Sequence, residues 1–312
     1  MTTQTWESLT SENNKYEHRI DLLSKASTTK FFNAYNDIDW NHPDYNIAPN
    51  NPIWIRGDTD FLGATQWYKA QPDHRRSALG LQMIVDSMKL GAVFENYLIT
   101  GLAHYVRTLP DGAVEFRYAM HELIEEGQHT LMFQEFINRS GLKAAKPDWL
   151  TQAFGSRIAK YGERFPELFF IFVLGGEAPI DFSQRRGLKN KTIVHPLAKR
   201  ITHIHTTEEA RHINFAKLYL EKNVPKLNPV RKTILATATP IIFSVMAKMM
   251  LKPSPYAQKK FQIPDAVLNE AYDHNREYQG VVRDAFADLV KMCDEIGLVE
   301  RAPLIWQKCG LI

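Results

Sequence analysis

The chain has 312 residues, of which 44% are hydrophobic and 23% are charged, and its formal net charge is +3. This composition is typical of a soluble globular protein, and the charge is too small to indicate binding to nucleic acid or to an anionic membrane. The two cysteines, Cys293 and Cys309, lie near the C-terminus without metal-ligand spacing. They predict no disulfide framework and suit a reducing cytoplasm.

Apolar residues recur at helical spacing along most of the chain, and few segments alternate as a half-buried strand does. Helices are therefore expected at residues 16–35, 76–108, 113–139, 150–159, 166–185, 196–221, 230–250 and 264–295. Residues 40–63 are rich in Asn, Pro and Asp, which predicts an extended loop. Pro179 lies inside an expected helix and should kink or interrupt it.

The predicted architecture is a single all-α domain spanning residues 1–312. Its core, at about 76–222, is expected to be a ferritin-like four-helix bundle, with a helix and loop in 1–75 and additional flanking helices in 228–312. The most apolar stretch, 234–251, contains a proline and a lysine, which favours a buried helix over a membrane span. The polar N-terminus predicts no secretory signal.

Two copies of Glu-x-x-His lie far apart in the chain, one at Glu126 and His129 and the other at Glu209 and His212. Because an α-helix advances about 100° per residue, positions three apart project from one face. Each pair therefore predicts two neighbouring metal ligands on its own helix.

A lone glutamate precedes each pair by almost the same interval. Glu95 lies 31 residues before Glu126 (126 − 95), and Glu177 lies 32 residues before Glu209 (209 − 177). Either interval allows one helix to leave the site, turn, and return as a second helix to the same depth. One glutamate from each of two helices and one Glu-x-x-His from each of two others is the ligand set of a dinuclear metal site in a bundle.

The ligand types fit two divalent cations. Four carboxylates balance the charge of two such ions, and mixed imidazole and carboxylate ligands suit iron that activates O2, although manganese can occupy the same ligands. Glu125 and Glu208, directly before the motif glutamates, are expected either to accept hydrogen bonds from ligand imidazoles or to be solvated charges. Asp181, four residues after Glu177, is a third candidate for such a hydrogen bond.

His205 adds a seventh candidate ligand, because it completes the spacing His-x-x-x-Glu-x-x-His with Glu209 and His212. This set resembles the p-aminobenzoate N-oxygenase family of non-haem di-iron enzymes, over roughly residues 91–216. The resemblance implies that the metal ligands are Glu95, Glu126, His129, Glu177, His205, Glu209 and His212. It also implies two iron ions that reduce O2 to a bridging peroxide, which transfers oxygen to an amine to give a hydroxylamine, nitroso or nitro product.

The expected partners are a small-molecule amine, O2 and an external electron donor, with a homodimer as one option for assembly. Other functions stay open: a di-iron acyl desaturase, which the run Glu-Glu-Ala-Arg-His at 208–212 also resembles, a ribonucleotide-reductase-like protein, or non-enzymatic ferritin-like metal binding. The presence of His205 argues against the desaturase, and a purely structural bundle is the least favoured alternative.

Overall fold

The computed structural model describes the backbone of residues 6–312 and the side chains within 14–160 and 162–312. The described residues form helices and no strand, which confirms the all-α prediction. The α-helices are α1 (Trp6–Thr29), α2 (Gln66–Lys69), α3 (Asp73–Val106), α4 (Val114–Ser140), α5 (Trp149–Tyr161), α6 (Pro166–Lys189), α7 (Pro196–Asn223), α8 (Pro229–Met250), α9 (Pro255–Lys260), α10 (Asp265–Leu268), α11 (Arg276–Glu295) and α12 (Pro303–Lys308).

Four long helices form the bundle. The short connections 107–113 and 190–195 make antiparallel neighbours of α3 and α4 and of α6 and α7, and the two pairs meet where α4 contacts α7 and α3 contacts α6. The flanking helices cover the outside of this core: α1 packs on α4 and α7, α5 on α3 and α6, α8 and α11 on α6, and α12 on α8. The division of the chain into one domain with these segments stays a prediction.

Two apolar layers enclose a polar layer in the bundle. On α3, Ala92 belongs to one apolar cluster and Leu98 to another, with Glu95 between them. The same order recurs on α7, where Ile204 and Phe215 lie on either side of the histidine and glutamate positions. The charged motif residues are therefore enclosed at both ends by close-packed side chains that exclude water.

Proline and side-chain caps mark many of the helix starts. Pro166, Pro196 and Pro229 occupy first-turn positions of α6, α7 and α8, where the missing N–H group has no helical partner to lose. The helix α5 begins after Asp148, whose carboxylate accepts hydrogen bonds from two backbone N–H groups of the first turn.

Several predicted helix bounds differ from the structure, such as the start of the first helix at Trp6 rather than at residue 16, and three of the differences have a local cause. The first helix ends at Thr29 rather than at residue 35, because the Asn33 side chain accepts hydrogen bonds from the N–H groups of residues 35 and 36 and forms a turn. The last predicted helix is divided at Asn275, whose side chain caps α11. Conversely, α6 continues through Pro179, since its packing on five other helices outweighs the loss of one backbone hydrogen bond.

The apolar helix α8 is buried on one side only. Phe243 and Leu235 lie in the main core, whereas Ile234 and Ile241 are about half exposed. Among the described residues, one helical stretch, Pro229–Lys260, is long and apolar enough to cross a membrane by length and composition, and 44% of its most apolar window is buried inside the protein. The prediction of a buried helix therefore holds for the face that packs on α6 and is wrong for the outer face.

Candidate metal centre

The seven predicted ligands all lie in the buried polar layer. Glu95 comes from α3, Glu126 and His129 from α4, Glu177 from α6, and the remaining three from α7. Each is at most 2% exposed, so bulk water reaches none of them. The structure thus brings together the complete set that the spacing of the sequence motifs predicts.

The ligand atoms form three overlapping groups, in each of which the atoms lie within 4.8 Å of one another. The groups are Glu95, His129, His205 and Glu209; Glu126, Glu209 and His212; and Glu95, Glu126 and Glu177. Glu209 belongs to two of them, and its Oε1 atom lies 3.3 Å from Nδ1 of His129, 3.5 Å from Nε2 of His205 and 3.4 Å from Nδ1 of His212. Its position suits a carboxylate that bridges two cations.

The helices α4 and α7 orient each other's imidazoles. Nε2 of His129 on α4 lies 2.8 Å from Glu208 on α7, and Nε2 of His212 on α7 lies 2.8 Å from Glu125 on α4. In each ring the Nε2–H group donates a hydrogen bond to the carboxylate, and Nδ1 faces the cluster. Such carboxylate–histidine pairs fix the tautomer and the orientation of metal-binding imidazoles.

Glu125 and Glu208 are themselves held by neighbours, so neither is a solvated charge. Arg211 donates a hydrogen bond to Glu125 over 2.8 Å, and its guanidinium lies 3.7 Å from Glu208. The backbone N–H group of Phe32, just after α1, donates to Glu208 over 3.1 Å. The turn after α1 is therefore part of the support of the site.

Asp181 does not have the predicted role. Both of its carboxylate oxygens accept hydrogen bonds from Nε of Arg185, at 2.8 and 2.7 Å, and neither is bonded to a candidate ligand. Arg185 lies one helical turn further along α6 and also donates to the backbone carbonyl of Thr206 on α7. Asp181 thus supports the contact between α6 and α7, and this ion pair replaces the expected carboxylate–imidazole contact.

Gln184, which belongs to none of the sequence motifs, orients the third imidazole. Its side-chain oxygen lies 2.9 Å from Nδ1 of His205, so that Nε2 of His205 points toward Glu95, 3.3 Å away. Gln184 lies seven residues, or two turns, after Glu177 on α6. This spacing places it on the ligand face and is the signal that could have identified it.

Glu122 is a second residue of the site that belongs to none of the sequence motifs. It is fully buried, one turn before Glu126 on α4, and neither of its carboxylate oxygens has a hydrogen-bond partner among the described residues. Burial raises its pKa well above the ordinary value, although the positive charge that His212 carries when protonated acts in the opposite direction. Tyr118, another turn earlier, also has a buried hydroxyl group without a partner.

Electrostatics within the cluster separate the carboxyl groups into two kinds. Burial, together with the negative charge of neighbouring carboxylates, raises the pKa of Glu95 and Glu177 well above the ordinary value. Burial also disfavours charge on Glu126, but the nearby imidazoles outweigh it and lower the pKa of that group to about 2. Burial lowers the pKa of His205 to about 4, which keeps its imidazole neutral and able to bind a cation.

Buried atoms without partners show that this site fits a pair of cations. Glu95, Glu126, Glu177 and Glu209 each have at least one buried oxygen without a hydrogen bond, and Nδ1 of His212 lacks one as well. Nδ1 of His212 and Oε1 of Glu126 are 2.9 Å apart but do not meet hydrogen-bonding geometry. Unpaired buried anions cost several kcal/mol each, and two divalent cations would neutralise four of them.

A ferritin-like helical bundle with this buried glutamate and histidine cluster has the arrangement of the dinuclear carboxylate proteins. The family model described as P-aminobenzoate N-oxygenase AurF matches residues 13–297. The chain therefore belongs to the p-aminobenzoate N-oxygenase family, as the motif spacing predicts, and its fold agrees with that family.

Similar proteins occur in mycobacteria. The chain is 35% identical over 298 residues to the uncharacterized protein MT0908 of Mycobacterium tuberculosis (strain CDC 1551 / Oshkosh), covering 95% of this chain and 88% of the relative. It is 34% identical, with the same coverage, to the uncharacterized proteins Mb0909 of Mycobacterium bovis and Rv0885 of M. tuberculosis H37Rv. No solved structure gives a significant match.

Proposed function

We propose that this protein is a di-iron oxygenase that uses O2 to oxygenate the nitrogen of a small amine. The observation that carries the proposal is the third imidazole. His205 lies in the same cluster as the Glu-x-x-His pairs, and Gln184 holds it with Nε2 toward Glu95 and Glu209. This seven-residue set is what the family resemblance implies, and it differs from the six-residue set of ferritin-like bundles.

The carboxylates and imidazoles would hold two iron ions, which supply the binding and reduction of O2. Four glutamates neutralise two divalent ions, and the three imidazoles add nitrogen ligands suited to iron. Manganese fits the same ligands, so the protein as isolated is expected to contain either metal. Together, the α7 residues His205, Glu209 and His212 face all three other bundle helices.

The rest of the chain keeps the site ordered and dry. Phe133 lies beside His205, with ring centroids 5.2 Å apart, and Phe94 packs against Phe172 at 5.1 Å. Glu125 and Glu208 keep the Nε2 atoms of the motif histidines protonated, so that their Nδ1 atoms stay available as metal ligands. Apolar surroundings suit a small organic amine, and they exclude the water that would promote side reactions.

The partners that we propose are the amine, O2 and an external electron donor. For each O2, one oxygen atom inserts into an N–H bond of the amine and the other leaves as water, which consumes two electrons and two protons. Complete reduction of O2 takes four electrons. The amine supplies two of them as it is oxidised to the hydroxylamine, so the other two must come from a separate reductant. The free thiols Cys293 and Cys309 are in keeping with a cytoplasmic location.

The test is turnover by iron-loaded protein with an arylamine such as 4-aminobenzoate, a chemical reductant and isotopically labelled O2. The proposal predicts a hydroxylamine, nitroso or nitro product that contains the label, and loss of that product in Glu126→Ala. The matched control is Glu221→Gln, an exposed position at the far end of α7. Iron-loaded protein that desaturates an acyl substrate and leaves a panel of amines unchanged would refute N-oxygenation.

A further inference from the structure

A long segment next to the bundle contains no acidic residue. Residues 222–264, a stretch of 43 residues (264 − 222 + 1), contain eight lysines and arginines and neither Asp nor Glu. With a net charge of +3 for the whole chain, the remaining residues carry −5 (3 − 8). The basic residues of this segment are Lys222, Lys226, Arg231, Lys232, Lys248, Lys252, Lys259 and Lys260.

The helix α8 lies within this segment and presents an apolar stripe to solvent. Val230, Ile234, Ile241 and Val245 are 69%, 46%, 50% and 45% exposed. Their intervals of four, seven and four residues place them on one face of the helix, over a length of about 22 Å. Exposed apolar side chains that share one face, rather than being scattered singly, indicate an interaction surface.

Lysines lie at both ends of the stripe. Lys226 precedes it and Lys248 follows it, and both are exposed. Neither has an acidic partner among the described residues. The outer face of α8 thus combines an apolar centre with positively charged ends and offers no negative charge of its own.

This face is one helix away from the candidate metal centre. The inner side of α8 packs on α6 at Gly175, where an added Cβ atom would lie 3.0 Å from Ile242 and 3.2 Å from Phe243. Glu177 follows two residues later on α6. With helix axes 8–10 Å apart and a helix radius of about 5 Å, the exposed stripe lies on the order of 15 Å from the ligand cluster.

We propose that the outer face of α8 is the docking surface for a small acidic electron-transfer protein, which delivers electrons to the metal centre through α6. The inference rests on the proposed function, because that reaction requires two electrons from outside for each O2. The partner, an iron–sulfur protein of the ferredoxin class, is oxidised by one electron per encounter. Two encounters therefore supply one reaction, and the protons come from solvent.

The charge pattern favours this partner over two other occupants. If two copies of the chain paired through the stripe, their lysine ends would meet, and residues 222–264 contain no acidic residue to compensate. An anionic membrane would also attract the lysines, but the stripe contains Val and Ile and lacks the Trp and Phe that membrane-surface helices present. An acidic protein with an apolar contact patch complements both features.

The experiment compares the full-length metal-loaded protein with a double variant, Lys226→Glu with Lys248→Glu. Lys25→Glu, an exposed position on α1, which packs on α4 and α7 rather than on α6, is the matched control. The probe is a reduced plant-type ferredoxin. Its binding is measured calorimetrically on manganese-loaded protein, and its oxidation on iron-loaded protein is followed by stopped-flow absorption.

Docking predicts that charge reversal weakens ferredoxin binding on the order of tenfold and slows its oxidation to match, while salt weakens binding of the parent protein. Turnover driven by a chemical reductant should be the same in all variants, which separates failure of docking from failure of the proposed function. Unchanged ferredoxin binding in the double variant overturns the proposal. So does a dimer that the same substitutions dissociate, or binding to phosphatidylglycerol vesicles that they abolish.

Discussion

The packing between the two helices that carry single glutamates gives a quantitative prediction. Gly176 precedes Glu177 on α6, and an added Cβ atom there would lie 1.9 Å from Cζ of Phe94, the residue before Glu95 on α3. Carbon atoms approach to about 3.5 Å without repulsion, so the ring would have to move by roughly 1.6 Å. Phe94 is buried against Phe172, which leaves it little space to do so.

We therefore expect Gly176→Ala to destabilise the protein. Alanine improves helix propensity by about 1 kcal/mol, whereas overpacking a core costs about 1–3 kcal/mol and more when the ring cannot relax. A net loss of about 1–2 kcal/mol corresponds to a fall in Tm of roughly 1.5–3 °C for a chain of this size. Because Phe94 and Glu95 are adjacent, the variant should also bind less metal.

Gly127→Ala is the control, because it makes the same change on α4 in open space. Apart from the adjoining backbone of α4, no atom of the described residues lies within 4 Å of an added Cβ at that position, which directly follows Glu126. Only the gain in helix propensity applies there, and Tm should rise by about 1–2 °C. Thermal unfolding of metal-loaded protein, with metal analysis of each variant, tests both. Equal stability and full metal content in Gly176→Ala would refute the packing account.

Three further predictions concern the support of the site. Glu208→Gln should weaken metal binding on the order of tenfold in a competitive titration, whereas Glu221→Gln should leave it unchanged. Gln184→Leu should weaken metal binding similarly. If Gln184 acts through the His205 ring, the double variant Gln184→Leu with His205→Ala should lose less metal-binding free energy than the two single variants lose in sum. Glu122 has a folded-state pKa above the unfolded value of about 4.5, so its contribution to the stability of metal-free protein falls as pH rises above that value. The free energy of unfolding should change by at most about 1.4 kcal/mol per pH unit for this group, and Glu122→Gln should reduce that slope. Urea unfolding from about pH 5 to about pH 8 measures it, and an unchanged slope would contradict a raised pKa of Glu122.

Six of the seven clustered residues were predictable from helix geometry, and the resemblance to the N-oxygenase family implied His205 as the seventh. The spacing of three residues places Glu126 and His129 on one face whatever surrounds them, and short connections make neighbouring helices return to the same depth. The same reasoning placed Glu125 and Glu208 one residue away, pointing to the neighbouring helix. These features depend on local geometry, which the sequence specifies directly.

Features that depend on side-chain competition between helices were not predictable in this way. Asp181 has the right spacing for the site, but Arg185 on the same helix takes both of its oxygens. The end of α1 depends on the hydrogen bonds of Asn33. The exposed stripe of α8 also escaped prediction, because a helix that is apolar all round gives no periodic signal for its outer face.

Anomalous X-ray diffraction from crystals of iron-loaded protein tests the central claim most directly. The account predicts two iron peaks per chain, about 3.5–4 Å apart, in the buried layer between Glu209 and the six residues around it. It also predicts an iron content of two per chain without growth of a mineral core. A single peak, peaks outside this layer, or no bound iron would contradict the dinuclear site and with it the proposed oxygen chemistry.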